Sequence, residues 1–220
     1  MARMPRLVVP GYPHHVTQRG NRRMKTFFST ADYQAYLDLM SEVKDEIGVE
    51  VWAYCLMPNH THLVVVPQET DGLSRFFRHV HRHYTRRINF RENWKGHLWQ
   101  ERFHSFVMDE DYLLATVRYV ELNPVRARLC QQPGQWKWSS TRAHLLRKDD
   151  QVVRVKPMLD RIEDWERYLS VDVVDAELLD IRQYSRTGRP AGSEAFIDAL
   201  ERLTNKSLKK GKPGPKSGDK

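Results

Sequence analysis

Two histidines stand two positions apart in the segment 60–66, which reads HTHLVVV. The aliphatic and β-branched residues of this segment predict a β-strand. Side chains alternate between the two faces of a strand, so His60 and His62 should point to the same side. Two imidazoles in that arrangement can hold a divalent metal ion. The pair alone does not establish a metal site, because histidines on a strand can equally be satisfied within the core.

A tyrosine and an amide share one side of the helix that the sequence predicts over residues 109–123. Tyr119 and Asn123 are four positions apart, so their side chains should lie next to each other. A tyrosine hydroxyl can attack phosphorus and form a covalent intermediate. A metal ion held by two imidazoles and an amide oxygen would polarise the attacked phosphate. Tyr112 lies on the same stripe, so spacing does not decide which tyrosine reacts. Pro124 should end the helix.

These groups belong to a chain whose predicted elements follow the order β-α-β-β-α-β-α. Strands are predicted at 12–18, 49–56, 60–66 and 103–108, and helices at 30–47, 73–89 and 109–123. The two strand–helix–strand units are typical of the ferredoxin-like or RRM-like plan. We therefore predict an α+β fold, with an antiparallel sheet that carries helices on one face. A C-terminal extension, mostly helical or disordered, should follow it.

Composition excludes several classes of protein. The 220 residues are 40% hydrophobic, enough for a packed core, so the chain is not wholly disordered. No apolar run is long enough to cross a membrane and no signal peptide is recognisable, so we expect a soluble, cytoplasmic protein without a membrane partner. Cys55 and Cys130 are the only cysteines, which excludes a disulfide framework and a four-cysteine zinc site. The net charge of +8 favours a nucleic-acid partner.

Charge also suggests how the chain is organised. Residues 1–145 carry 20 lysines and arginines against 14 acids, whereas residues 146–180 carry 6 against 10. The balance then reverses, and the last 16 residues contain six lysines, three glycines and two prolines. We predict a main domain at 1–145, an extension of unknown role at 146–204 and a disordered basic tail at 205–220.

Arginines dominate one face of the helix predicted at 73–89. No acidic residue interleaves between positions 75 and 91, so pairing along the helix cannot explain the charge. Contact with phosphates explains it better. A second basic cluster occupies the turn after the first strand, close to the histidine hairpin in this topology. The predicted DNA-binding residues are Arg19, Arg22, Arg23, Arg75, Arg78, Arg82 and Arg86.

Three stretches of the main domain resemble one known family. VVPGYPHHVTQRGNRR, AYCLMPNHTHLVVVP and YLLATVRYVELNPVRA are similar, in this order, to motifs of the REP-associated tyrosine transposases, which belong to the HUH single-strand DNA endonucleases. The likeness covers roughly residues 6–145. The third stretch is the most specific, because a tyrosine followed three residues later by Leu-Asn-Pro-Val-Arg is not a general helix pattern.

The resemblance implies a role for each matching residue. Tyr119 would be the nucleophile, and His60, His62 and Asn123 would bind Mg²⁺ or Mn²⁺. Thr61 departs from the usual hydrophobic middle residue, and Asn123 stands where many insertion-sequence relatives have glutamine. The implied substrate is a single-stranded DNA hairpin of a REP-like palindrome, cut through a 5′-phosphotyrosine link. The family includes monomers and homodimers, so the oligomeric state stays open.

Two other functions are compatible with the same residues. The first is a regulator that binds DNA hairpins on this fold without cleaving them; the intact set of His60, His62, Tyr119 and Asn123 argues against it. The second is a zinc hydrolase whose third ligand is an acid such as Glu101 or Glu121. It predicts an activity that does not depend on the tyrosine.

Overall fold

The computed structural model describes residues 6–171 and 175–209, with only the backbone described over 175–178. A four-stranded antiparallel sheet forms its centre, in the order β2-β3-β1-β4. The strands are β1 (His14–Arg19), β2 (Val49–Met57), β3 (His60–Pro67) and β4 (His104–Val107). The main helices are α1 (Thr30–Ile47), α2 (Gly72–Glu92) and α3 (Glu110–Glu121). This arrangement confirms the predicted α+β ferredoxin-like fold.

Local signals in the sequence explain where α1 and the hairpin begin and end. Ser29 and Asp32 form a reciprocal capping box at the start of α1. Gly48 ends that helix with φ of 71°, a conformation that glycine adopts without strain. Pro58 and Asn59 then form the tight connection between β2 and β3, which pairs Met57 with His60. The turn therefore fixes the register in which both histidines enter β3.

The sheet is covered on both faces, which corrects one detail of the predicted fold. The helices α1 and α2 pack against one face, where Leu63 and Val65 belong to their core. The other face carries Val64 and Phe106, and it packs against α3. Helices α1 and α2 therefore lie on one face of the sheet, as predicted, whereas α3 lies on the other face. The reason is that the strands are apolar on both sides, so neither face can be left to water.

The proline after Asn123 does not end helical structure as expected. Helix α3 stops at Glu121, Leu122 stays near helical angles, and a short helix α4 (Asn123–Arg126) follows at once. Pro124 sits in the first turn of α4, where a missing backbone N–H costs nothing. Asn123 consequently lies at the junction of two helices.

The extension after residue 145 is mostly helical, as predicted. Its elements and the short helix before it are α5 (Thr141–Leu145), α6 (Lys156–Leu159), α7 (Trp165–Ser170), α8 (Asp175–Thr187) and α9 (Glu194–Thr204). Val152 and Val153 join the core beneath α1, while Trp165 and Ile181 join the core beneath α3. Residues 146–204 therefore contribute to both hydrophobic cores of the main domain. The division of the chain at residues 145 and 204 stays a prediction.

The first residues of the basic tail are not disordered. Leu208 is buried, and its backbone N–H donates to Glu201. The remainder of the tail, 210–220, lies outside the described residues. Among the described helices, none is long and apolar enough to cross a membrane.

A buried histidine in β1 makes the stability of this fold sensitive to acid. Val9 N–H donates to His14 Nε2, and His14 Nδ1 donates to the Tyr12 carbonyl, so the ring is held neutral. Burial lowers the pKa of His14 to about 4. As the pH falls, His14 takes up a proton near pH 6.5 in the unfolded chain but only near pH 4 in the folded chain. The contribution of neutral His14 to the free energy of unfolding is therefore complete above pH 6.5 and is lost as the pH falls towards 4.

We expect His14 alone to remove about 2 kcal/mol from the free energy of unfolding between pH 7 and pH 5. Urea unfolding at the two pH values measures this loss. His14→Gln should be less stable at pH 7 but should show a shallower dependence on pH. His83→Gln, at an exposed position on α2, is the matched control. An equal slope in wild type and His14→Gln would contradict the assignment.

Candidate active site

The two histidines of β3 lie on the sheet face that α3 covers. Register places His60 opposite Arg19 and His62 opposite Thr17 of β1. The imidazole ring centres are 4.9 Å apart, with the rings nearly perpendicular. The alternation of the strand therefore brings the pair together as predicted.

Each histidine is oriented through its Nδ1 atom. Asn59 Oδ1 lies 2.6 Å from His60 Nδ1 and accepts a hydrogen bond from it. His62 Nδ1 is 3.0 Å from His15 Nε2, and Ser185 Oγ lies 3.4 Å from the other nitrogen of His15. No hydrogen bond to either Nε2 is found within the described residues. The Nε2 atoms are thus the ones available to a ligand.

Both histidines are neutral at physiological pH. Burial, and then the charge of Arg19, lower the pKa of His60 to about 4. Burial, followed by the neighbouring His60 and His15, holds the pKa of His62 well below its usual range. A neutral imidazole keeps the lone pair with which it coordinates metals. The site is therefore ready for metal binding without first losing a proton.

Tyr119 packs directly against His62 of this pair and against His15. Its ring is perpendicular to that of His62, with the centres 5.4 Å apart, and similarly oriented to His15 at 6.2 Å. The Arg126 guanidinium lies over the tyrosine ring, 4.2 Å from its centre. Burial and the nearby charge of Arg182 lower the pKa of Arg126. Tyr119 therefore has imidazoles on one side and positive charge on another.

Tyr112 does not lie beside the histidines, although it shares a helical stripe with Tyr119. Its ring contacts Tyr184 of α8, with the centres 5.3 Å apart. Burial, and then a hydrogen bond to Tyr184, raise the pKa of Tyr112. The structure thus separates two tyrosines that spacing could not separate, and it places Tyr119 next to the histidines.

Asn123 offers an unsatisfied amide one turn beyond Tyr119. Its Nδ2 atom is buried and has no hydrogen-bond partner among the described residues. The two ends of an amide exchange by rotation, so either the nitrogen or the oxygen can occupy this position. A polar group without a protein partner is what a third ligand position requires.

Comparison with known proteins identifies the family of this chain. The family described as "Transposase IS200 like" matches residues 9–123, which include both histidines, Tyr119 and Asn123. The chain belongs to this family.

Two individual proteins are similar to this chain. A REP-associated tyrosine transposase from Escherichia coli strain K12 is 26% identical over 121 residues, which cover 54% of this chain and 70% of that protein. The solved structure of a REP-associated tyrosine transposase bound to a REP hairpin matches with a TM-score of 0.58 and 23% identity. That match covers 67% of this chain and 87% of the other, and it shows the shared fold.

The two acids considered as zinc ligands do not lie beside the histidines of β3. Glu121 is fully buried and accepts hydrogen bonds from Ser140, His144 and Trp165. It therefore ties α3 to the extension. Glu101 lines a cavity beside α2, on the opposite side of the sheet. In the part of the chain that the structure describes, no group of three His, Cys, Asp or Glu residues could hold a metal.

The predicted DNA-binding arginines fall into two groups. Arg19 lies beside His60, and the exposed Arg22 and Arg23 follow it in a tight turn. The second group belongs to α2 and faces away from the histidines. Its members are Arg78, Arg82 and Arg86, which line the cavity, and Arg75, which lies 3.7 Å from Asp71.

Sequence analysis gave no role to three residues that shape the site. His15 shares a strand face with Thr17 and Arg19, so alternation alone could have placed it opposite the histidine pair. Asn59 immediately precedes His60 in the hairpin turn. Arg126 follows Tyr119 by seven positions, or about two helical turns, so helical spacing could have placed it near the tyrosine. Its contact depends on helical structure continuing past Pro124.

Proposed function

We propose that this protein is a metal-dependent tyrosine transposase and endonuclease that nicks, and can rejoin, single-stranded DNA hairpins of REP-like palindromes through a 5′-phosphotyrosine intermediate. The observation that carries the proposal is the packing of Tyr119 against His62. This contact places a tyrosine that could attack phosphorus next to a histidine pair that could bind a metal ion, in a chain of the IS200-like family. The REP hairpin bound in the related solved structure supports the substrate class.

Three side chains would hold a divalent ion at this site. His60 and His62 would hold it through their free Nε2 atoms, and Asn123 would supply its amide oxygen. The ion, when bound, would polarise the attacked phosphate and offset the charge that develops on it. We propose Mg²⁺ or Mn²⁺. The two imidazoles should favour Mn²⁺, because nitrogen ligands bind it more strongly than they bind Mg²⁺.

The reaction itself requires little beyond positioning. The Tyr119 oxygen loses its proton and bonds to phosphorus, while the bond from phosphorus to the 3′ oxygen breaks. That oxygen takes up a proton and leaves as a free 3′-OH. Arg126 and Arg19 provide fixed positive charge for the phosphate and its strand. Attack of a 3′-OH on the phosphotyrosine reverses the step, so rejoining needs no external energy source.

One protomer contains every group that this mechanism uses. Tyr119 contacts the His62 of its own chain. We therefore propose that a monomer is sufficient for cleavage and that a homodimer is not required. The proposed substrate, chromosomal DNA of a bacterium, places the protein in the cytoplasm.

Labelling each end of a hairpin oligonucleotide tests the proposal. The hairpin carries single-stranded flanks and is incubated with the protein and Mn²⁺ or Mg²⁺, with EDTA as the control. A denaturing gel should show a protein adduct with the 3′-labelled strand, whereas the 5′-labelled strand should give a free product ending in 3′-OH. An adduct on the 5′-labelled strand would contradict the polarity. Tight binding without an adduct, across several hairpins, would favour the non-cleaving regulator.

A further inference from the structure

A concave site lies on the α2 side of the sheet, away from the histidine pair of β3. Helix α2 and the segment 96–103 enclose a cavity of about 500 Å³, a size typical of small-ligand sites. Part of its lining is aromatic: Phe77 and Phe103 are in contact at 4.7 Å between ring centres, and Trp99 also lines the cavity. The cavity therefore combines an aromatic lining with an open mouth.

Positive charge surrounds that mouth. Arg78, Arg82 and Arg86 stand one helical turn apart along α2, and Arg102 faces them from the other wall. All four are exposed, and none of them has an ion-pair partner among the described residues. Glu101 is the one carboxylate in the lining. Arginines of like charge repel each other unless an anion lies between them, so this wall is built for a polyanion.

The cavity is connected to the candidate active site through backbone hydrogen bonds. Asn21 N–H donates to the Leu98 carbonyl, and Gln100 N–H donates to the Arg19 carbonyl, each at 2.8 Å. Arg19 in turn lies opposite His60. The wall of the cavity therefore runs beside the residues that follow β1.

We propose that this cavity binds an unpaired nucleotide in the single-stranded flank of the DNA hairpin. The base would enter the aromatic pocket, and the arginines would hold the phosphates on either side. A double-stranded stem fits less well, because its paired and stacked bases cannot turn into the pocket. The inference rests on the proposed function, and it extends the DNA interface to the face of the sheet opposite the tyrosine.

Binding measurements with two oligonucleotides test the inference. One is a hairpin with single-stranded flanks of about ten nucleotides, a length within the range bound by single-strand modules. The other has the same stem without flanks. Fluorescence anisotropy in EDTA gives the affinity of the full chain while cleavage is prevented. The variants are Arg82→Gln, which changes the cavity wall, and Arg87→Gln, an exposed arginine of the same helix outside the cavity.

We expect Arg82→Gln to weaken binding of the flanked hairpin roughly five- to tenfold and to lower its salt dependence by about one phosphate contact. Its effect on the blunt hairpin should be less than about twofold, as should the effect of Arg87→Gln on either oligonucleotide. Equal losses with both oligonucleotides, or in both variants, would overturn the inference in favour of general attraction to the stem. An unchanged affinity in Arg82→Gln would overturn it outright.

The inference and the proposed function fail in different ways. A metal-dependent adduct together with an unchanged affinity in Arg82→Gln overturns only the cavity as a nucleotide site. Selective loss of flank binding without any adduct supports the cavity and counts against the cleavage mechanism. Failure of the wild-type protein to bind either hairpin overturns both.

Discussion

Tyr119→Phe is expected to abolish the covalent adduct and to lower hairpin cleavage by roughly a thousandfold or more, because it removes the nucleophilic oxygen. The change should leave the structure intact. The phenylalanine ring keeps the contacts that the tyrosine ring makes with His62, His15 and Arg126. Single-turnover cleavage of the end-labelled hairpin measures the rate, and a melting temperature checks the fold.

Tyr112→Phe is the matched control for this loss. It deletes the same atom from the same helix, seven positions earlier, and removes a hydrogen bond to Tyr184 at a distance from the histidines. We expect its adduct to form at a rate within about threefold of wild type, since the reacting groups are untouched. Cleavage that survives Tyr119→Phe but not Tyr112→Phe would reverse the assignment. Cleavage that survives both would point to a metal-bound water.

The fold could be predicted because its signals are local. The HTHLVVV strand, the capped helix after Ser29 and the tight turn at Pro58 each determine a neighbouring element. Their order then leaves few topologies for the sheet. The packing of helices against the second face of the sheet was harder to predict. It depends on α3 and on residues far along the chain, such as Trp165, whose packing no local pattern reports.

The candidate site could be predicted only in part. Periodicity placed His60 and His62 on one face and Tyr119 beside Asn123, and the structure brings Tyr119 and His62 into contact. Spacing could not choose between Tyr119 and Tyr112, because both lie on the same helical stripe. The family resemblance favoured Tyr119, and the fold shows that the neighbours of the two tyrosines differ. The roles of these residues stay proposals.

The surrounding groups depend on long-range geometry. His15 meets His62 only because β1 pairs with β3 in one register. Glu121 was one of the acids considered for a zinc site, yet it is buried in the core, where Ser140, His144 and Trp165 donate hydrogen bonds to it.

His62→Ala is expected to lose both metal binding and cleavage. Removal of an outer hydrogen-bond partner costs roughly 10- to 100-fold in metal affinity, so loss of a ligand should cost at least about 100-fold. Titration with Mn²⁺, followed by the paramagnetic resonance signal of the free ion, measures the affinity directly. His83→Ala, which removes an exposed histidine from α2, should leave the affinity unchanged.

A buried histidine can also be lost at the expense of the fold, so a second variant separates the two causes. His60 is half-buried at the start of β3 and contacts the core less than His62 does. We expect His60→Ala to lose Mn²⁺ affinity to a similar extent while its melting temperature stays closer to wild type. Tyr119→Phe should keep Mn²⁺ binding although it forms no adduct, since it leaves both imidazoles in place. If His60→Ala and His62→Ala bound Mn²⁺ as tightly as wild type, the histidine pair would not be the metal site, whatever their effect on cleavage.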